Sequence, residues 1–268
     1  MSFSIDRQTL DELNLLGKYR NGSVYHLFNQ VKTSGGERLL DEMFQHPLEN
    51  ATAINERTAV FRYFQELGMS FPFDVAQLNT MREYLDTGTR KSAALMLGDI
   101  FVKKLLSGLA RDERYRKIVQ GLQATIVVLK NCYVVLGNMA ANPGPYAGRI
   151  AHLRQLLANP ELDRLLNTDI YQALPVSKLA HFDHLLKDRF HEQMENILHF
   201  IYELDVNIAV SQVASSRGFT YAKALAPEKN TFDVAGLRHP CIAKAIGNEV
   251  SLQGHSNVLF LTGANMAG

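Results

Sequence analysis

The residues best placed to do chemistry stand at the end of the chain: Gly263, Ala264, Asn265, Met266, Ala267 and Gly268, behind the apolar run Leu259, Phe260 and Leu261. Two glycines separated by four residues after a buried strand have the spacing of a phosphate-binding loop. In such a loop, backbone N–H groups wrap the phosphate oxygens at a helix N-terminus. The pattern continues with Lys, which reaches the β- and γ-phosphates, and then with Ser or Thr, whose hydroxyl holds Mg²⁺. Lys followed by Ser or Thr is therefore the expectation after Gly268, and the 268 residues alone are expected not to hydrolyse ATP. The competing reading is an ordinary strand and turn.

Other residue types invite chemistry less strongly. His181, His184, Asp188, His191, Glu195 and His199 form a stripe at helical spacing, and "HEQME" (residues 191–195) begins like a zinc-protease motif. Its second histidine is replaced by Glu195, and the stripe lies opposite an apolar face, so a solvated surface and no metal site are expected. Cys132 and Cys241 stand far apart with no C-x-x-C, which suggests neither a disulfide framework nor a zinc site. Lys103, Lys104, Arg111, Arg114, Arg116 and Lys117 cluster, but Asp112 and Glu113 dilute them, and a solvated face is again expected. The net charge of +1 makes any phosphate-binding surface a local matter.

The elements that must carry these residues are mostly helices. In "TSGGERLLDEMFQHPL", Ser34 and Glu37 read as a capping box that opens an amphipathic helix stopped by Pro47, with Gly35 and Gly36 as a turn feeding the helix start. Further helices are expected near residues 51–67 and 75–85, and one long or several broken helices over residues 91–140. "NPGPYAG" (residues 142–148) is the clearest breaker. Residues 176–217 contain neither Pro nor Gly. Leu179, Phe182, Leu186, Phe190, Met194, Ile197, Ile201, Leu204 and Ile208 recur every three or four residues, within about 60° of one line on an α-helix. An unbroken helix of about 40 residues would be about 60 Å long, a strut or lever. After Pro227, "TFDVAGLRHP", "NEVSLQG" and "NVLFLTG" are short β-type runs divided by Gly, Asn and Pro. No apolar run approaches a membrane span, and "MSFSIDRQTL" lacks a signal-peptide core, so a cytoplasmic protein is expected.

Four ordered segments resemble the MutS family of DNA mismatch-repair ATPases. "IDRQTLDELNLL" resembles the opening of that family's helical core. Residues 23–64 resemble its core signature, with Gly36, Arg38, Leu39, Leu40, Pro47, Leu48, Ile54 and Arg57 in matching positions. "ELDVNIAVSQVA" (residues 203–214) resembles the end of the long lever helix, and "LRHPCIAKAIGNEVSLQGHSNVLFLTGANMAG" resembles the start of the ATPase domain. Between about 92 and 175 only helical character matches.

The resemblance implies a mainly α fold, a multi-helix core with long lever helices, followed by the first strands of an incomplete α/β ATPase domain. It divides the chain into residues 1–227, the core and lever domain, and 228–268, the start of an ABC-type ATPase domain. It implies nucleotide contacts from Gly263, Ala264, Asn265, Met266, Ala267, Gly268 and Asn248. The implied cofactors are ATP and Mg²⁺ in the full-length protein, with none expected for these residues alone. The implied partner is mismatched or branched DNA, gripped by a homodimer whose levers close under ATP control. A scaffold that clamps a protein partner is the alternative. The family's mismatch-reading and connector domains have no counterpart in these residues. Phe64, Gln65 and Glu66 spell the reader's Phe-x-Glu, but Phe64 is in step with Val60, Phe61 and Leu67 and reads as core. Only residues 143–175 lie where the DNA clamp would be, too few for a full one. Ala245 and Ile246 stand where a base-stacking aromatic is usual.

Overall fold

The computed structural model describes residues 7–17, 22–87, 113–169 and 174–260. Helices dominate: α1 (Arg7–Glu12), α2 (Val24–Phe28), α3 (Ser34–Gln45), α4 (Ala51–Leu67), α5 (Val75–Asp86), α6 (Glu113–Met139), α7 (Ala147–Leu157), α8 (Pro160–Leu166), α9 (Val176–His184) and α10 (His191–Arg217). Two antiparallel strands come after them, β1 (Phe232–Leu237) and β2 (Asn248–Leu252). Among the described residues no strand precedes them, and the chain is mainly α as its periodicity predicts.

Local chemistry sets the helix ends. Asn50 caps α4 by accepting from Ala53 N, and Gly68, at φ 59°, closes it. Asp74 opens α5 by accepting from Gln77 N at 2.8 Å. After α6, Pro143 begins a 3₁₀ turn, Gly144–Tyr146, that redirects the chain into α7.

The start of α3 differs from the capping box expected at Ser34. The cap is Thr33, whose Oγ1 accepts from Gly36 N at 2.9 Å, and Ser34 is already helical. Nor are Gly35 and Gly36 a turn ahead of the helix. They form its first turn, where a Cβ on Gly35 would overlap the Tyr202 ring and one on Gly36 would lie 2.6 Å from Asp205 Oδ2. Close approach, rather than conformational freedom, explains both glycines.

The chain forms two compact units. One comprises Lys32–Gly36 and Met69–Ile208. Here α6 packs on α5, α7, α8 and α9, with Leu122, Ile126, Leu129 and Leu136 buried along it. Each such side chain contributes about 1.5–3 kcal/mol on leaving water. A Cβ on Gly121 would lie 2.4 Å from Tyr84 Cβ, so the site has no room for one. Residues 147–166, in the stretch considered for a clamp, instead bury Ile150, Leu153, Leu157, Leu162 and Leu165. Contrary to the expectation of no membrane-length run, the helix Arg116–Met139 is long and apolar enough to span a bilayer by composition, with an 18-residue window of mean hydropathy 1.4. Half of that window is buried inside the protein, the behaviour of a core helix.

The lever is not one unbroken α-helix. A π turn, Leu185–Arg189, separates α9 from α10, closed by Phe190 N donating to Leu185 O at 2.9 Å. Phe190 itself, at φ −110° and ψ 21°, leaves helical geometry. All nine residues of the predicted apolar line are nevertheless buried, from Leu179 to Ile208. The opposite stripe is not uniformly solvated. His181, His191 and His199 are exposed, but His184, Asp188 and Glu195 are half-buried. Arg82 Nη1 donates to Glu195 Oε2 at 2.7 Å, and Arg82 also meets Asp86. Burial lowers the Arg82 pKa, but Glu195 and then Asp86 more than reverse this, leaving it raised.

The other unit comprises Met1–Val31, Glu37–Gly68 and Ala209–Gly268. Aromatic contacts build its core: Tyr25 meets Phe44 edge-on at 5.3 Å, Phe28 meets Phe219 at 6.2 Å, and Phe61 stacks on Tyr221 at 6.2 Å. Asn55 pairs with the backbone of Ala224 through both its amide oxygen and nitrogen, each at 2.9 Å. Phe64 is 1% exposed and packs edge-on against Tyr63, which makes it core as its spacing implies. Leu259 and Phe260, expected with Leu261 as a buried strand, are coil, and Phe260 is 87% exposed. An apolar run becomes a strand only where a neighbour completes its ladder, and among the described residues none does. Leu261 lies outside the described residues.

Candidate functional site

The core signature converges on a residue that the matching positions do not include. Asp205, on α10, is 2% exposed. Its carboxylate accepts from Lys32 N at 3.0 and 2.9 Å, from Thr33 N at 2.7 Å and from the Thr33 hydroxyl at 2.7 Å. The Thr33 oxygen in turn accepts from Gly36 N. A buried acid thus holds the cap of α3, where donors and the helix dipole both favour negative charge. Gly36 allows the approach, and Leu40 is buried one turn further on. Leu39, Leu48 and Ile54 are half-buried, while Arg38 and Pro47 are exposed. Arg57 is half-buried, and burial lowers its pKa. Buried and bonded to the backbone of Lys32 and Thr33 and to the Thr33 hydroxyl, Asp205 serves as an anchor for the start of α3.

Asp205 is legible as an exception: one acid inside the apolar run Leu204, Asp205, Val206. Tyr202, whose ring explains Gly35, carries no such signal.

The predicted nucleotide segment is described only in part. Residues 263–268 lie outside the described residues. Asn248 opens β2 opposite Leu237, with its side chain open to solvent. The hairpin departs from regular pairing between Val234 and Leu237, where Gly236 takes φ 71°. A Cβ on Gly247 would sit 2.8 Å from Gly236 Cα, so the two glycines let the backbones touch. Just before, Arg238 Nη2 donates to Arg217 O, at the last residue of α10, at 3.5 Å. Cys241 N donates to His239 Nδ1 at 3.3 Å, so the imidazole proton sits on Nε2 and donates to Leu13 O at 3.0 Å. Arg238 and His239 therefore build local structure. Ile246 is 85% exposed, which leaves it open but without an aromatic face for a base.

Of the basic cluster, Arg116 and Lys117 are exposed. Lys103, Lys104 and Arg111 lie outside the described residues. Among the described residues no three His, Cys, Asp or Glu side chains gather as a metal ion would require.

Comparison with known proteins bears on the same helical core. The family model for MutS domain III matches residues 8–211, most of the chain. The DNA mismatch repair protein MutS of Pseudothermotoga lettingae is 33% identical over 81 residues, 30% of this chain. Those residues span only 9% of that relative's length. The family match takes in the signature around Gly36 and Arg57, the Asp205 anchor and nearly all of the lever, and the chain belongs to the MutS family of DNA mismatch repair.

Proposed function

We propose that the chain is part of an ATP-dependent DNA-binding protein of DNA repair or recombination, whose levers close around DNA under the control of ATP. The observation that carries this is the lever itself. Val176–His184 and His191–Arg217 form a helical rod joined by a single π turn, and the chain then passes into the strands that resemble the opening of an ATPase domain. Family membership supplies the DNA; the rod supplies a mechanical element suited to transmitting movement.

In this reading residues 228–268 open an ABC-type ATPase domain in a cytoplasmic homodimer. Backbone N–H groups of residues 263–268 hold the phosphates, and the Lys and hydroxyl expected after Gly268 complete the charge compensation and the Mg²⁺ site. Asn248 fits a place near the nucleotide, because its side chain is exposed and committed to no partner across the hairpin. Mismatch reading is assigned elsewhere, which favours branched or non-specific DNA for this part.

A scaffold that clamps a protein partner is the second reading, favoured by the net charge of +1. DNA-stimulated ATP hydrolysis by the whole protein separates the two. Stimulation by duplex or branched DNA supports the proposal. Hydrolysis indifferent to DNA favours the scaffold, and no hydrolysis overturns the nucleotide assignment.

A further inference from the structure

The π turn at Leu185–Arg189 interrupts what would otherwise be a continuous α-helical rod. Such a turn stores one residue more than an α-helix needs and rotates the helix beyond it by about 100°. Yet the sequence does not demand it. Leu179, Phe182, Leu186, Phe190, Met194, Ile197, Ile201, Leu204 and Ile208 share one line on an uninterrupted α-helix, and all are buried with the turn present. One apolar pattern therefore suits two registers, and something else must select between them.

Two i,i+4 side-chain contacts tie the end of α9 to residues inside the turn. His184 Nδ1 lies 2.9 Å from Asp188 Oδ2. Lys187 Nζ lies 3.0 Å from Asp183 Oδ1, with side chains only 5% and 4% exposed. Lys187 also reaches the end of α5: it donates to Thr87 Oγ1 at 3.1 Å and sits 4.0 Å from the centre of the Tyr84 ring. Thr87 is ready for it, because its own proton is spent on Tyr84 O at 2.7 Å. The carbonyls at the end of α5 further favour a cation there. Burial, and then the neighbouring Asp183, raise the Tyr84 phenol well above its ordinary pKa and keep it neutral. A buried ion pair seldom stabilises more than apolar residues of the same size would, and its best-attested use is to select a register.

We infer that the buried Asp183–Lys187 pair, anchored on Thr87 and Tyr84, latches an extra residue into the lever, and that releasing it lets α9 and α10 join in a straight register. The latch is independent of the ligand that the protein binds.

Hydrogen exchange read by mass spectrometry on the 268-residue chain tests this. Asp183→Asn with Lys187→Met removes both charges while keeping volume. The expected result is exchange about tenfold faster over residues 185–190, with residues 197–208 still protected and the melting temperature little changed. Unchanged protection over 185–190 would show that the pair holds no register. Loss of protection along all of α10 with a lower melting temperature would show that it merely holds the core. A deletion gives the independent readout. Removing Asp188 takes out the stored residue and leaves both flanking faces aligned, so this variant should melt near the parent. Removing Asn196 from α10 turns the apolar face by about 100° and should unfold the rod. Equal damage from the two deletions overturns the inference.

Discussion

Asp205 is a buried carboxylate answered by two backbone N–H groups and one hydroxyl, all within 3.0 Å. Asp205→Ala leaves those donors unpaired in the core and should cost about 3 kcal/mol, because each orphaned buried group carries its full desolvation penalty. Urea unfolding measures it; a loss within about half a kcal/mol would mean that water replaces the carboxylate. Cys132 gives a second local test. Burial pushes its thiol up to about 12, whereas Cys241 is half-exposed. A disulfide reagent at about pH 8 should therefore label Cys241 and spare Cys132 until the protein unfolds. The sign for stability is fixed by the same shift. A thiol kept protonated in the folded state contributes fully below the unfolded value of 9.0, and this is lost as pH rises towards about 12. Cys132→Ala should flatten that alkaline decline. Residues of this kind divide sharply in legibility. Asp205 stands out as a charge between Leu204 and Val206, whereas Lys187 sits in the charged run Lys187-Asp188-Arg189 and does not; their partners, 173 and 100 residues away in the chain, leave no local mark.

Among the elements, those with complete local signals are the most readable. The helix over residues 51–67 matches its expected bounds because Asn50 and Gly68 punctuate it. For α3 the pattern locates the helix but places the cap one residue late, since Thr33 and Ser34 carry the same hydroxyl chemistry and only Asp205 distinguishes them. The difference is measurable. Thr33→Ala should cost about 1–2 kcal/mol by removing the cap and its bond to Asp205, and Ser34→Ala should stay within about half of one. The reverse order in chemical denaturation would restore the capping box. The π turn is invisible in the sequence for a different reason: an apolar face reaching about 60° to either side of its line tolerates one extra residue without breaking. The run at residues 258–260 shows the converse limit, since strand propensity without a ladder partner yields an exposed coil.

For the whole molecule, family membership rests on the helical core, which the match to MutS domain III covers from residue 8 to 211. The resemblance over residues 228–268 concerns a nucleotide, and its phosphate loop lies outside the described residues, so the site is more legible as a motif than as a geometry. Composition says least, because a net charge of +1 is compatible with DNA only through a local basic surface. That makes the salt dependence of DNA binding the most direct measurement. Fluorescence anisotropy of labelled duplex and branched DNA with this chain, between about 50 and 200 mM salt, should show affinity falling steeply, since each phosphate neutralised contributes about −0.9 to the log–log slope for B-DNA. A slope of several units on either DNA agrees with levers that grip the phosphate backbone; binding insensitive to salt, or none at the lowest salt, contradicts it.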